Sequence, residues 1–283
     1  MRRLRRCQAK PFILWSLGSS TSSQTRNTPV RHLQRPTTEC CKTRHEKVSG
    51  MNSSEKENMG YSVNLVGAGG IASWVLHGLV RPARRFAQAT GSRLTIRVYD
   101  SDYVDEDNVH HQNFRPSDVG KAKVDALCGE LAEFQGEEIA LVACEWDVRS
   151  ESDFEEADLT VVAVDSPDAR ELVTKSKKSG KWAICTCAGD SFMFLTEESS
   201  EQAISMVTKN AQKDASCQLP GAISEGKIEA GNMAVAAVAQ TWVLRSLREM
   251  SGDEGAKIPV SRAESTVLGT LGIMTENREE VGE

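Results

Sequence analysis

YSVNLVGAGGIASWVLHGLV, residues 61–80, decides the fold. Its first half is a short apolar strand that runs into a Gly-rich turn. Its second half has helical spacing, with Ile71, Trp74, Val75 and Leu79 on one face. Gly67 and Gly69 permit a tight turn and a close approach of backbone to a phosphate, and Gly70 follows them directly. The amino end of the following helix would present unpaired N–H groups to that phosphate. The sixth position of the glycine pattern is Ala72, which the pattern tolerates. A glycine turn alone is a weak signal; its place between strand and helix gives it meaning.

Reading outward, Pro82 is expected to end or kink the helix, with Gly91 as a later stop. LTIRVYD (94–100) alternates and reads as a second strand ending at Asp100. A helix over 117–134 has Ser117 as its expected N-cap. Strands are expected at 138–144, 159–165 and 181–190, and helices at 167–180 and 231–250. LTVVAVD (159–165) is almost wholly apolar, as for a central parallel strand covered on both faces. The stretch 197–230 reads as polar connection, and the tail after Ser251 stays open. This alternation predicts a doubly wound, Rossmann-like α/β fold with a mainly parallel sheet and its ligand at the carboxyl ends of the strands.

The 283 residues divide unevenly in charge. Residues 1–50 hold eleven Lys/Arg against Glu39 and Glu46, a charge of +9, which leaves −15 of the −6 total for the remainder. An acidic body disfavours nucleic acid as a partner. No apolar run reaches the roughly 18 residues of a membrane span, and eight cysteines fit a reducing, cytoplasmic setting better than a disulfide scaffold. FILWSL (12–17) follows basic residues like a targeting segment but is short for one, so residues 1–58 are read as a disordered or non-native extension. Residues 59–250 form the expected nucleotide-binding domain and 251–283 its tail.

YDSDYVDEDNVHHQNFRPSDVGKAK, residues 99–123, is more specific than the glycines. It resembles the D-x-D-x-V…N-x-x-R-Q-x-F…GK-x-K stretch of the ThiF/MoeB and ubiquitin-activating adenylyltransferases. Asp100, Asp102, Val104, Asn108, Gln112, Phe114, Gly120, Lys121 and Lys123 match in order. VVAVDSPDAR (161–170) is similar to the family's strand ending in Asp followed by Asp-x-Arg, which places Asp165 at the magnesium position and Arg170 at the helix arginine. ASCQLPG (215–221) resembles the crossover region and residues 230–247 the closing helix; the likeness spans about 61–250.

The resemblance implies ATP and Mg as cofactors, an acyl adenylate as product, and the C-terminus of a ubiquitin-like or sulfur-carrier protein as substrate. A homodimer or heterodimer is implied in the same way. The chemistry is coherent with the residues. Asp100 would hold a ribose, Lys123 would neutralise phosphate as a point charge, and Asn108 and Gln112 would orient phosphates. Asp165 would hold magnesium, a hard ion that prefers oxygen. Adenylation needs positioning and charge stabilisation more than a protein nucleophile.

Three departures matter. The family's arginine before Gln is His111, which is mostly neutral at pH 7, and Arg115 is the expected partial replacement. The adjacent His110 and His111 read as loop histidines rather than a metal pair. Cys217 has Asp214, not a cysteine, three positions before it, so no C-x-x-C zinc is expected. Cys217 itself is either an acyl-accepting thiol or an inert loop cysteine, whereas Cys128, Cys144, Cys185 and Cys187 read as core. Two other functions stay open: a non-catalytic nucleotide-binding partner subunit, favoured by His111, and an NAD-dependent oxidoreductase. The latter leaves Asn108, Gln112, Lys123 and Asp165 without a task.

Overall fold

A computed structural model describes residues 60–209 and 217–256, together with the backbone of three further strands at 31–32, 264–269 and 272–276. The remaining residues of the N-terminal stretch, and Ala215 and Ser216 of the crossover region, lie outside the described residues. The elements, in chain order, are β1 (Arg31–His32), β2 (Gly60–Val66), α1 (Ala72–Thr90), β3 (Arg93–Tyr99), α2 (Asn108–His111), α3 (Lys123–Glu130) and β4 (Ile139–Cys144). They continue with β5 (Leu159–Val162), α4 (Pro167–Lys175), β6 (Lys181–Ala188), β7 (Ser191–Thr196), α5 (Glu201–Thr208), α6 (Gly231–Met250), β8 (Glu264–Gly269) and β9 (Gly272–Glu276).

The sheet order is β1-β4-β3-β2-β5-β6-β7-β8-β9. From β1 to β6 every neighbouring pair is parallel, and from β6 onward every pair is antiparallel. The chain is therefore doubly wound about β2, with β3 and β4 laid on one side and β5 and β6 on the other. One apolar layer joins β2, β3 and β4 to α1, α3 and α6 through Val63, Leu65, Leu76, Leu79, Ile96, Leu127, Ala239 and Val243. The opposite layer joins Val66, Tyr99, Val162 and Ile184 to α4 and α5 through Val173, Ala203 and Val207. All four residues of β5 are buried, as the unbroken apolar run required.

Several expectations are corrected. The helix after the Gly turn does not stop at Pro82; it continues to Thr90 with Pro82 inside it. A proline ring crowds the carbonyl four residues earlier and removes one helical donor, which makes a stop the ordinary expectation. Burial of Leu79, Val80, Ala83 and Ala87 on both sides of the proline outweighs the lost hydrogen bond. The expected 117–134 helix is divided: Pro116–Asp118 forms a 3₁₀ turn, and α3 starts only at Lys123 with Ala122, not Ser117, at its cap. The strand expected at 159–165 ends at Val162, which leaves Asp165 in the following loop. SFMFLT (191–196) is a strand that pairs with β6 around a turn at Gly189 (φ +63°), and α5 occupies part of the stretch read as polar connection.

Candidate functional site

One cavity of about 430 Å³ opens at the carboxyl ends of β2, β3, β4 and β5, where the strand order reverses. Its volume falls within the roughly 300–1,000 Å³ of small-ligand clefts. Gly69, Gly70, Asp100, Asp102, His111, Gln112, Lys123, Asp165 and Cys217 all line it. Residues drawn from six separate stretches of sequence thus face one space.

The Gly turn forms its floor. Gly67 has φ +106°, and a Cβ there would lie 2.7 Å from the Ala163 carbonyl oxygen, so only glycine fits. Its N–H donates to the Tyr99 carbonyl at 2.8 Å, which fixes the turn to β3. Gly70 packs against Cys217, whose Sγ would lie 3.2 Å from a Cβ at that position. The residue at the amino end of α1, Ile71, has no capping side chain, and the Ser73 N–H in the first turn donates to the Gly69 carbonyl at 3.0 Å.

Asp100 is held by two backbone donors. Ala68 N–H reaches its Oδ2 at 2.6 Å, and Asp102 N–H its Oδ1 at 2.8 Å. Burial pushes its carboxyl above the ordinary range, against these hydrogen bonds and the nearby Lys123 charge. The residue at the end of β3 thus grips the Gly turn from the side.

Lys123 is the buried cation of the site, its side chain only 9% exposed. Its Nζ lies 2.9 Å from Asp102 Oδ2, yet the Asp102 side chain is 67% exposed. A bridge between β-like segments sets this pairing: Tyr103 pairs with Ala122, and Val104 N–H donates to the Lys121 carbonyl at 2.9 Å. The exposed Asp102 can swing into solvent, whereas Lys123 cannot; an arriving anion would take over the ammonium.

Asp165 stands exposed at the cavity wall and makes no side-chain hydrogen bond or ion pair among the described residues. Its loop is fastened from behind. Buried Arg170 donates from Nε (3.0 Å) and Nη2 (2.7 Å) to the Val164 carbonyl, and from Nη1 (3.1 Å) to the Val207 carbonyl. Ser166 caps α4 by accepting the Ala169 N–H at 3.3 Å. No group of three or more His, Cys, Asp or Glu able to hold a metal occurs among the described residues. An uncommitted carboxylate beside a lysine suits magnesium, which takes few protein ligands and completes its shell with phosphate oxygens and water.

His111 and Gln112 also line the cavity. Burial lowers the His111 pKa from its ordinary value, so the ring is neutral at pH 7. Asn232 of α6 donates to the His111 carbonyl at 2.8 Å and the Gly70 carbonyl at 3.2 Å, tying both to the closing helix.

Cys217 is within the cavity wall and next to Cys187. A hydrogen bond from the Cys187 thiol lowers the Cys217 pKa despite burial, helped by the charges of Arg170 and Lys123. The same bond, with burial, raises Cys187. The charged neighbours of Cys217 are thus supplied by distant stretches of chain. Cys128, Cys144 and Cys185 are buried in the core.

Two named residues stand elsewhere. Asn108 is buried in a turn where its Oδ1 accepts the Asp105 N–H at 3.4 Å and its N–H donates to Asp105 Oδ1 at 2.8 Å; it does not line the cavity. Arg115 points away and pairs with Glu130, so it does not stand in for the missing arginine. The cation that does line the cavity besides Lys123 is Arg149, bonded to Asp147 at 2.6 Å, with Asp147 held by Ser101 at 2.6 Å. These residues follow β4, and the carboxyl-end rule applied to that strand would have found them.

A doubly wound sheet with a Gly-rich turn, a buried lysine and an uncommitted carboxylate around one cleft defines a Rossmann-like α/β protein with a polar cleft at the carboxyl ends of its strands. The chain belongs to the ThiF family, whose model matches residues 47–271. E. coli MccB solved with ATP matches at 19% identity and a TM-score of 0.53, over 78% of this chain and 65% of that one. MccB with MccA-N7isoASN matches at 18% and 0.54, over 81% and 67%. PaaA matches at 16% and 0.50, over 77% and 64%. The likeness at these identities is one of fold, and the chain spans about two thirds of the length of these proteins. No curated protein sequence matches it. No helix among the described residues is long and apolar enough to cross a membrane.

Proposed function

We propose that this ThiF-family chain is an adenylyltransferase that activates a carboxylate with ATP. The observation that carries this reading is the convergence of Asp100, Lys123 and Asp165 on one cavity above the Gly67–Gly70 turn. Asp100 meets the ribose, the Gly turn and the amino end of α1 receive the phosphates, and Lys123 exchanges Asp102 for phosphate oxygen. Asp165 would hold magnesium, which supplies charge neutralisation on the phosphates when bound. A carboxylate oxygen of the substrate then attacks the α-phosphorus. The bond from that phosphorus to the β-bridging oxygen breaks, and pyrophosphate leaves. The chain's part is to align the attack and neutralise charge without a covalent step of its own.

The structural relative MccB has been solved with ATP and with MccA, which supports a polypeptide end as the carboxylate here. The C-terminus of a ubiquitin-like or sulfur-carrier protein is the substrate of this reading, in a cytoplasmic dimer. Cys217 is the candidate acceptor of the activated acyl group. ATP–pyrophosphate exchange in the presence of such a C-terminal peptide tests the proposal. Exchange that depends on the peptide supports it, and tight ATP binding without exchange favours the alternative of a non-catalytic partner subunit. One observation favours that alternative: a neutral His111 where the family pattern has a permanent cation. A Cys217→Ser variant that keeps exchange but yields no peptide adduct would assign the thiol to the second step.

A further inference from the structure

Gln112 carries an anomaly. Its side-chain oxygen Oε1 is buried and has no hydrogen-bond partner among the described residues. A buried acceptor left unpaired is costly, and in native proteins such an atom calls for an explanation. Oε1 faces the Gly turn, 3.9 Å from where a Cβ on Gly69 would be. A lone pair there opposes any phosphate that approaches the turn.

The cause lies in the neighbouring ring. His111 Nδ1 is 3.0 Å from the Asp107 carbonyl oxygen, which can only accept, so Nδ1 carries the proton. In the neutral ring Nε2 is then an acceptor. It lies 3.3 Å from Gln112 Nε2, which donates to it. The amide is thereby turned with its NH₂ toward the histidine and its oxygen toward the ligand. The ring dictates the orientation.

Resting on the proposed nucleotide reading, we propose that His111 is a positioning residue that takes up one proton when a triphosphate binds, and that this proton reverses the Gln112 amide. A proton from solvent adds to His111 Nε2, which becomes a donor. Gln112 Oε1 turns to accept it, and the Gln112 NH₂ turns to the phosphates. The unpaired oxygen is satisfied, and the phosphate gains both a donor and a nearby positive charge. His111 thus supplies, only in the loaded state, the cation that the family pattern places there permanently. The charged groups around the ring are consistent with this. Asp105 and Asp107 of its own turn favour the cation, Lys123 of α3 opposes it, and Asn232 of α6, which is neutral, holds its backbone. Burial keeps the ring uncharged until an anion offsets Lys123.

The sign follows from linkage. His111 has a low pKa when free and a raised one when a triphosphate is bound. Its contribution to affinity is full below the free pKa and is lost as pH rises through the bound pKa, at up to about tenfold per pH unit. Calorimetric titration of the full chain with ATP-magnesium and with magnesium tripolyphosphate tests this between about pH 7 and 9, and the same titration of the His111→Arg chain subtracts the ionisation of the probe itself. Two buffers of different ionisation enthalpy report the protons. The expected result is proton uptake and falling affinity in the natural chain. His111→Arg should bind with no uptake and a flat pH profile, and His111→Gln should bind more weakly with none. The Cys217 thiol faces the same cavity and remains in both variants, so loss of uptake assigns the proton to His111. Tight binding without uptake, or uptake that survives His111→Arg, overturns this inference alone. Failure of both probes to bind overturns it together with the nucleotide reading.

Discussion

The two sides of the cavity are built differently. On the β3 side, Asp100 satisfies two backbone N–H groups and Asp147 is bonded to Ser101 and Arg149. Among the other lining groups, Gln112 Oε1 is unpaired and Asp165 uncommitted among the described residues, and buried Lys123 depends on an exposed partner; these form the unsaturated side. The saturated side gives shape, because its groups already hold partners within the protein and need no ligand to satisfy them. The unsaturated side is where a ligand adds the missing partners.

The comparison can be broken most strongly at Lys123. Lys123→Ala should lower ATP–pyrophosphate exchange by 100-fold or more, about 3 kcal/mol of charge stabilisation, while circular dichroism and melting stay near those of the natural chain. Retained exchange would remove the unsaturated side from the mechanism. Next comes the turn that both sides share. Gly67→Ala should destabilise the fold by about 1–3 kcal/mol in denaturant titration, because it needs φ +106° and meets the Ala163 oxygen at 2.7 Å. Gly69→Ala meets nothing nearer than 3.9 Å and should leave stability unchanged while weakening ATP binding. Equal effects of the two substitutions would erase the distinction between frame and ligand surface.

A smaller effect is expected at Asp118, outside the cavity. Burial raises its pKa, but Lys121 at 2.8 Å and the Arg115 N–H at 3.0 Å outweigh that and hold it below the usual carboxylate range. Its stabilisation is therefore present above the unfolded pKa and lost as pH falls through the folded one. Asp118→Asn should cost about 1 kcal/mol near pH 7, and the gap should close below about pH 4. A constant gap across that range in urea melts would contradict the assignment. The smallest expected change is at the saturated wall: Arg149→Ala should weaken ATP binding by only about fivefold, since a surface ion pair already occupies the guanidinium.

Much of the site was legible because the motif fixes residue type and order together. The Gly turn, Asp100, Gln112, Lys123 and Asp165 all reach one cavity, although the motif contains no information on distance. What escaped was decided by tertiary packing. Pro82 reads as a stop, but an apolar face continues across it and its burial carries the helix to Thr90. SFMFLT follows a two-residue turn so closely that one apolar run conceals two strands. Asn108 fits the motif, yet its Oδ1 and N–H close a turn with Asp105 and it does not line the cavity. Arg115 lies four positions from His111 in sequence and still points to Glu130, because the 3₁₀ turn at Pro116 redirects the chain. Arg149, Asp147 and Asn232 carry no motif; only knowledge of which strand ends meet would select them.

The most direct test is a crystal structure of the full chain with magnesium and a non-hydrolysable ATP analogue. The account predicts the triphosphate over Gly69 and Gly70, Lys123 moved from Asp102 to phosphate oxygen, the metal on Asp165, and the Gln112 amide reversed. An analogue bound with its phosphates against Asp147 and Arg149, or with Lys123 still paired to Asp102, would contradict it.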